Sequence, residues 1–366
     1  MIKFADPKAQ YEQYSSEIDE AIRDVLNSER YILGEQVTSL EEEFCEYIGT
    51  KHSIGVANGT DALELSLRAM DIGHGDEVIT VSHTAVPTVA AIESCGASPV
   101  LIDIDENHYT MNISHLQEAL SSKTKAVIAV HIYGNACDLS NISSFCKNND
   151  LKLIEDVSQA HGATFDGSKL GSIGDIGCFS CFPTKNLSAI GDAGLITTNN
   201  DDYAEKIIML REYGWKERIS QIQGRNSRLD EIQAAILRVK LRHLDETNSK
   251  RVMIANLYKS KLNSVPLKLP THNQNVSPVF HLFVAQTDQR DDLLKFLSDR
   301  EIFAGIHYPV PVHLQPAYLN RVKILDLAVT EKIADKIISL PLYPELSKEK
   351  VEQTIDCIKS FFSNAC

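Results

Sequence analysis

Between residues 53 and 182 short apolar runs alternate with segments of helical periodicity, and this alternation limits the fold more than any other feature of the chain. An apolar run from Ser53 leads into Asn58-Gly59-Thr60. A helix pattern follows on Leu63, Leu65, Leu67 and Met70, with Thr60 or Asp61 placed to cap it. Strands are then expected at Val78–Val81, Pro99–Ile102, Ala126–Val130 and Leu151–Ile154. Helices are expected at Val86–Ser94, Ser114–Leu120 and Ser140–Lys147. Strands separated by helices cannot pair as hairpins, so they build a mainly parallel, α/β sheet covered on both faces.

Ligands of such sheets bind beyond the carboxyl ends of the strands. Asn58 to Thr60, His83, His131, Asp156 and Lys185 all fall just after an expected strand. The most telling is Lys185. The apolar run Ile176–Phe182 carries the backbone inward, Pro183 ends it for want of an N–H, and Gly191-Asp-Ala-Gly194 turns the chain away. A lysine delivered there can be desolvated and attack a carbonyl to form a Schiff base. A plain surface lysine in a turn is the other reading.

The flanking segments extend this core. Ile18, Ile22, Val25 and Leu26, then Val37, Leu40, Phe44 and Tyr47, mark two amphipathic helices. We expect a large α/β domain over residues 1–230, a long connecting helix over 231–263, and a smaller α+β domain over 264–366. The last carries a strand at Pro278–Ala285, a helix at Arg290–Arg300, a Pro- and His-rich loop, and two terminal helices.

A net charge of −14, from 36 basic and 50 acidic residues, argues against a nucleic-acid or anionic-membrane partner. No leader pattern or membrane-length apolar run is present, which places the expected location in the cytoplasm. The eight cysteines are scattered, unlike a disulfide framework. In a strand, Cys178 and Cys181 would face opposite ways, so no metal site is expected from that pair.

Several residues carry chemistry, each with a plainer structural reading. Asp156 ends an apolar strand and needs a partner: it suits a protonated ring nitrogen, or it caps the next helix. Gln159 could bond a ring substituent. Gly59 and Thr60 open a helix and suit a phosphate, or are ordinary capping. Ser180 could reach the same phosphate or bond backbone. His83 could stack on a flat ring or be a satisfied core histidine. Arg225, Asn226 and Arg228 offer donors to anions, or form a solvated loop. His307, Tyr308 and His313 could wall a substrate site or form a turn. Together they supply an amine for an aldehyde, an acid for a pyridine nitrogen and a helix end for a phosphate. Those are the needs of pyridoxal 5′-phosphate (PLP).

These segments resemble the DegT/DnrJ/EryC1/StrS family of PLP-dependent sugar-nucleotide aminotransferases over essentially the whole chain. The resemblance rests on Asn58-Gly-Thr-Asp-Ala62, Glu155-Asp156-Val-Ser-Gln159-Ala-His-Gly162, Phe179-Ser-Cys-Phe-Pro-Thr-Lys-Asn-Leu187, Gly191-Asp-Ala-Gly194, Gly224-Arg-Asn-Ser-Arg228 and the Tyr308-Pro-x-Pro-x-His313 loop. Ser158 and Ala193 depart from the commonest pattern, small for small. The resemblance implies the type I aminotransferase fold. It implies that Lys185 holds PLP and shuttles a proton, Asp156 pairs with the pyridinium and Gln159 meets the ring hydroxyl. Gly59, Thr60 and Ser180 would hold the phosphate, and His83 would stack on the ring. Asn226 would reach the phosphate of the other subunit, making a homodimer with shared sites. Loops including 307–313, with Arg225, would bind the sugar. Ser82-His-Thr-Ala-Val-Pro-Thr and His307-Tyr-Pro-Val-Pro-Val-His313 are similar to the branch acting at C3 of dTDP-3-keto-6-deoxyhexoses with L-glutamate as donor. Three rivals are amination at C4, a sugar dehydratase with His in place of the lysine, and a non-catalytic PLP-binding sensor.

Overall fold

The computed structural model describes residues 1–364, so Cys366 lies outside the described residues. Seven strands form the body of one sheet: β1 (His52–Val56), β2 (Glu77–Val81), β3 (Ser98–Ile102), β4 (Thr124–Val130), β5 (Lys152–Asp156), β6 (Ile176–Ser180) and β7 (Gly194–Thr198). Their spatial order is β1-β7-β6-β5-β4-β2-β3, and a short strand, Lys323–Ile324, adds to the far edge. All neighbours pair parallel except at β7, which runs antiparallel to both β1 and β6. The sheet is therefore mixed and mainly parallel. Its strands are buried almost throughout, as double coverage by helices requires.

The expected helices stand at Ser15–Asn27, Glu35–Ile48, Gly59–Ala69, Val86–Ser94 and Leu139–Asn148. The cap of Gly59–Ala69 is neither Thr60 nor Asp61. Asn58, in extended conformation, accepts from the Asp61 N–H at 2.8 Å. The long connector is two helices, Glu231–Arg242 and Leu244–Leu262, which meet at His243 (φ −103°, ψ 1°). There the His243 ring stacks on Tyr14 at 4.2 Å and bonds Glu17 at 2.9 Å. The C-terminal strand is Phe283–Gln286 rather than Pro278–Ala285. Val279 and Leu282 donate instead to the carbonyls of Gly134 and Tyr133.

Two main apolar cores are present. The larger surrounds the sheet. The smaller gathers Tyr258, Phe283, Leu293, Ile338 and Ile358, and includes Ile2 from the N-terminus. Conversely, Val312, Tyr318 and Leu327 pack on Val89 and Leu101 of the large part. Segments from each end of the chain thus cross between the two cores. Ile2 is tied there by its N–H to the Glu301 carbonyl at 2.7 Å.

Candidate active site

The carboxyl ends of β1, β2, β4, β5 and β6 open on one cavity of about 280 Å³. Gly59, Thr60, Asp156, Gln159, Ser180 and Lys185 all line it. Asp156 and Ser180 end their strands and the others follow within a few residues, at the sheet edge where such sheets bind ligands.

Lys185 sits in a tight turn. Pro183 presets the bend, and the Lys185 N–H donates to the Phe182 carbonyl at 2.8 Å. The loop is locked at its base by Cys181 N–H to Ala193 O and Ala189 N–H to Cys181 O, both 2.8 Å. Burial pushes the amine down to about 8, against the opposing pull of the Asp156 charge. At pH 7 about a tenth of the amine is then neutral and nucleophilic, far more than for an ordinary lysine.

Asp156 is 5 % exposed. Its Oδ2 accepts from the Thr88 hydroxyl at 2.8 Å, and its Oδ1 from the Ser158 N–H at 3.2 Å. Thr88 in turn bonds Thr84 at 2.8 Å. Thr88 lies in the first turn of the helix after β2, and nothing in its local sequence marks it as a partner of Asp156. Gln159 is fixed at both ends of its amide: Oε1 accepts from Tyr133 N–H at 2.8 Å, and Nε2 donates to the Tyr308 hydroxyl at 2.9 Å.

Next to Asp156, the buried Glu155 faces the other way. It accepts from the N–H groups of Gly171, Ile173 and Gly174 at 2.7–2.9 Å and contacts His131 Nε2 at 3.2 Å. Burial opposes its charge, but these partners outweigh it and hold the carboxyl below its ordinary range. Glu155 pins the loop that leads into β6, whereas Asp156 faces the cavity.

The phosphate-type seat is tightly built. A Cβ on Gly59 would lie 2.4 Å from Ser180 Cβ, so only glycine lets the helix end approach β6 this closely. The cap occupies the N–H groups of Asp61 and Ala62, which leaves those of Gly59 and Thr60 directed out of the helix end. A phosphate is the natural ligand of such an end. With an amine of lowered pKa and a buried carboxylate in the same cavity, the residues fit PLP.

Four expected contacts are placed elsewhere. His83 does not line the cavity. Its Nε2 bonds the Tyr133 hydroxyl at 2.6 Å, its ring lies against Tyr109 and Tyr133, and burial pushes it down to about 4. Thr84 and Ala85 stand at the wall instead. Arg225 is paired with Asp61 and, at 3.0 Å, with Glu64. His313 bonds Ser82 at 2.7 Å and Glu331 at 3.1 Å, anchoring its loop to the end of β2. His307 bonds Ser339 at 2.9 Å and stacks on Phe4. Of that loop, Tyr308 reaches the site, through Gln159. Asn226 is exposed and does not line this cavity. Among the described residues no cluster of His, Cys, Asp or Glu could hold a metal, and the seven described cysteines are free.

The fold and this site define an aminotransferase built to carry PLP. The chain belongs to the DegT/DnrJ/EryC1/StrS aminotransferase family, whose model matches residues 12–359, and it is PLP-dependent. It is 42% identical to the dTDP-3-amino-3,6-dideoxy-alpha-D-galactopyranose transaminase of Aneurinibacillus thermoaerophilus, over 99% of both chains. It is 40% identical to the dTDP-3-amino-3,4,6-trideoxy-alpha-D-glucose transaminase of Streptomyces venezuelae, over 98% of this chain and 96% of that protein. The crystal structure of S. venezuelae DesV in complex with a ketimine intermediate superposes with a TM-score of 0.96, at 40% identity, covering 98% of each chain.

Proposed function

We propose that this enzyme transfers the amino group of L-glutamate to the C3 ketone of a dTDP-3-keto-6-deoxyhexose, giving a dTDP-3-amino-3,6-dideoxyhexose of gluco or galacto configuration. The observation that carries this reading is full-length similarity, at 40–42% identity, to transaminases named for 3-amino dTDP sugars, combined with one cavity that holds Lys185, Asp156 and the Gly59–Thr60 helix end.

Bound PLP supplies an electron sink and an aldehyde that carries the amino group between the two substrates. Lys185 is the covalent anchor and, once released, the base that moves a proton at the reacting carbon. An amine titrating near 8 exchanges protons readily at neutral pH. Asp156, oriented by Thr88, keeps the ring nitrogen protonated. Gly59, Thr60 and Ser180 hold the phosphate, and Gln159 holds the edge of the ring.

The working form is a homodimer with shared sites. Supporting this, Tyr31, Ile32, Trp215 and Ile219 are exposed on one protomer, and the exposed Asn226 does not line its own cavity. We place the enzyme in the cytoplasm. Among the described residues no helix is long and apolar enough to cross a membrane.

The test is incubation with glutamate and a panel of 3-keto and 4-keto dTDP sugars, with NMR of the products. A 3-amino sugar together with 2-oxoglutarate is the expected result, and Lys185→Ala abolishes both. Formation of a 4-amino sugar alone overturns the C3 assignment. Failure to aminate any sugar while still binding PLP at Lys185 would favour the sensor.

A further inference from the structure

Asp61 creates a problem at the phosphate seat. It follows Thr60 in the first turn of its helix, with 14 % of its side chain exposed. A carboxylate stabilises the N-terminus of a bare helix. Beside a phosphate that carries close to two negative charges it repels the ligand, and more strongly in a partly buried site than in water.

The Arg225–Ser227 segment answers this. Ser227 Oγ donates to Asp61 Oδ2 at 2.6 Å, and the Arg225 guanidinium pairs with Asp61 Oδ1. Glu64, one turn further along, has a second cation, since Arg68 Nε donates to it at 2.9 Å. Asp61 has none: among the described residues Arg225 is the one cation within 4 Å of it. The backbone of Arg225 is held independently, by its N–H to Leu210 O at 2.9 Å and its carbonyl from Tyr213 N–H at 3.1 Å. Its side chain is therefore free to serve the pairing.

We propose that Arg225 is a positioning residue for the cofactor phosphate, acting through Asp61, which it neutralises and turns away from the Gly59–Thr60 helix end. The inference rests on the assignment of the phosphate to that end. It also links the seat to the loop that carries Asn226, so the segment that would serve the partner's site also tunes its own.

The test titrates apoenzyme with PLP and, separately, with pyridoxal, which lacks the phosphate. Dissociation constants are compared for wild type, R225Q, D61N and R225Q/D61N. R225Q should weaken PLP about tenfold, the effect of one uncompensated charge near the phosphate, and leave pyridoxal within about twofold. The double variant should return PLP affinity to within about twofold of wild type, which simple loss of packing would not do. The idea is overturned if R225Q leaves PLP unchanged, if it weakens PLP and pyridoxal equally, or if D61N gives no rescue. Thr60→Ala serves as a separate control. If it fails to weaken PLP relative to pyridoxal, the phosphate assignment is wrong, whatever the Arg225 variants do.

Discussion

Replacing Lys185 with Met should stabilise the cofactor-free protein at neutral pH, although it destroys the residue on which the chemistry depends. Burial lowers the Lys185 amine from 10.5 to about 8. Below pH 8 the amine is protonated in both folded and unfolded chains, and the folded chain bears the full cost of burying the charge. Between pH 8 and 10.5 the unfolded chain binds the extra proton, so stability rises with pH. Above 10.5 the cost is gone. A shift of this size corresponds to at most about 3.4 kcal/mol. The side chain keeps some contact with the open cavity, which makes that figure a ceiling. Met keeps the length and removes the charge. The stability difference between Lys185→Met and wild type should therefore shrink by up to about 2.5 kcal/mol between pH 7 and pH 10. Urea unfolding of both apoproteins at the two pH values measures it. Lys240, also lowered to about 8 by burial, is common to both proteins and cancels. A difference that does not change with pH would refute the account of Lys185 as a desolvated amine.

Two further outcomes follow from the packing. Gly59→Ala should weaken PLP at least tenfold while leaving overall stability within about 1–3 kcal/mol of wild type, because its Cβ meets Ser180 at 2.4 Å and the helix end must retreat; equilibrium binding and urea unfolding separate the two effects. Asp103→Ala should cost about 3–5 kcal/mol in urea unfolding, since this buried carboxylate accepts from Val329 N–H, Thr330 N–H and the Thr330 hydroxyl at 2.7–2.8 Å and caps the helix Ala328–Ala334 on the end of β3.

Much of the sheet was legible because its signals are local. An apolar run of four or five residues flanked by helix periodicity can be read without knowing its neighbours, and β2 to β5 fall where that pattern puts them. β7 was not read. Gly194–Thr198 becomes a strand by pairing antiparallel with β6, just before it in the chain, and with β1, about 140 residues earlier. The break at His243 likewise depends on Tyr14 and Glu17. His83 lies a small step beyond the strand, off the cavity wall. Once β2 ends at Val81 the alternation of faces is lost, and it is Thr84 and Ala85 that reach the wall.

The sequence by itself determined the chemistry on offer: Lys185 after an apolar strand and a proline, Asp156 at the tip of another, and Gly59-Thr60 at a helix start. Each is specified by its immediate neighbours, because strand ends and helix ends are local events. The tertiary structure decided which polar groups remain free to act. Arg225 is claimed by Asp61, 164 residues away, and His313 by Ser82, 231 residues away. Buried or half-buried charges and imidazoles take whatever partner the fold brings within 3 Å, since leaving them unpaired costs more than any single contact gains. Local pattern carries no record of those partners, so the pairing of Arg225 with Asp61 and of His313 with Ser82 appears only in the fold.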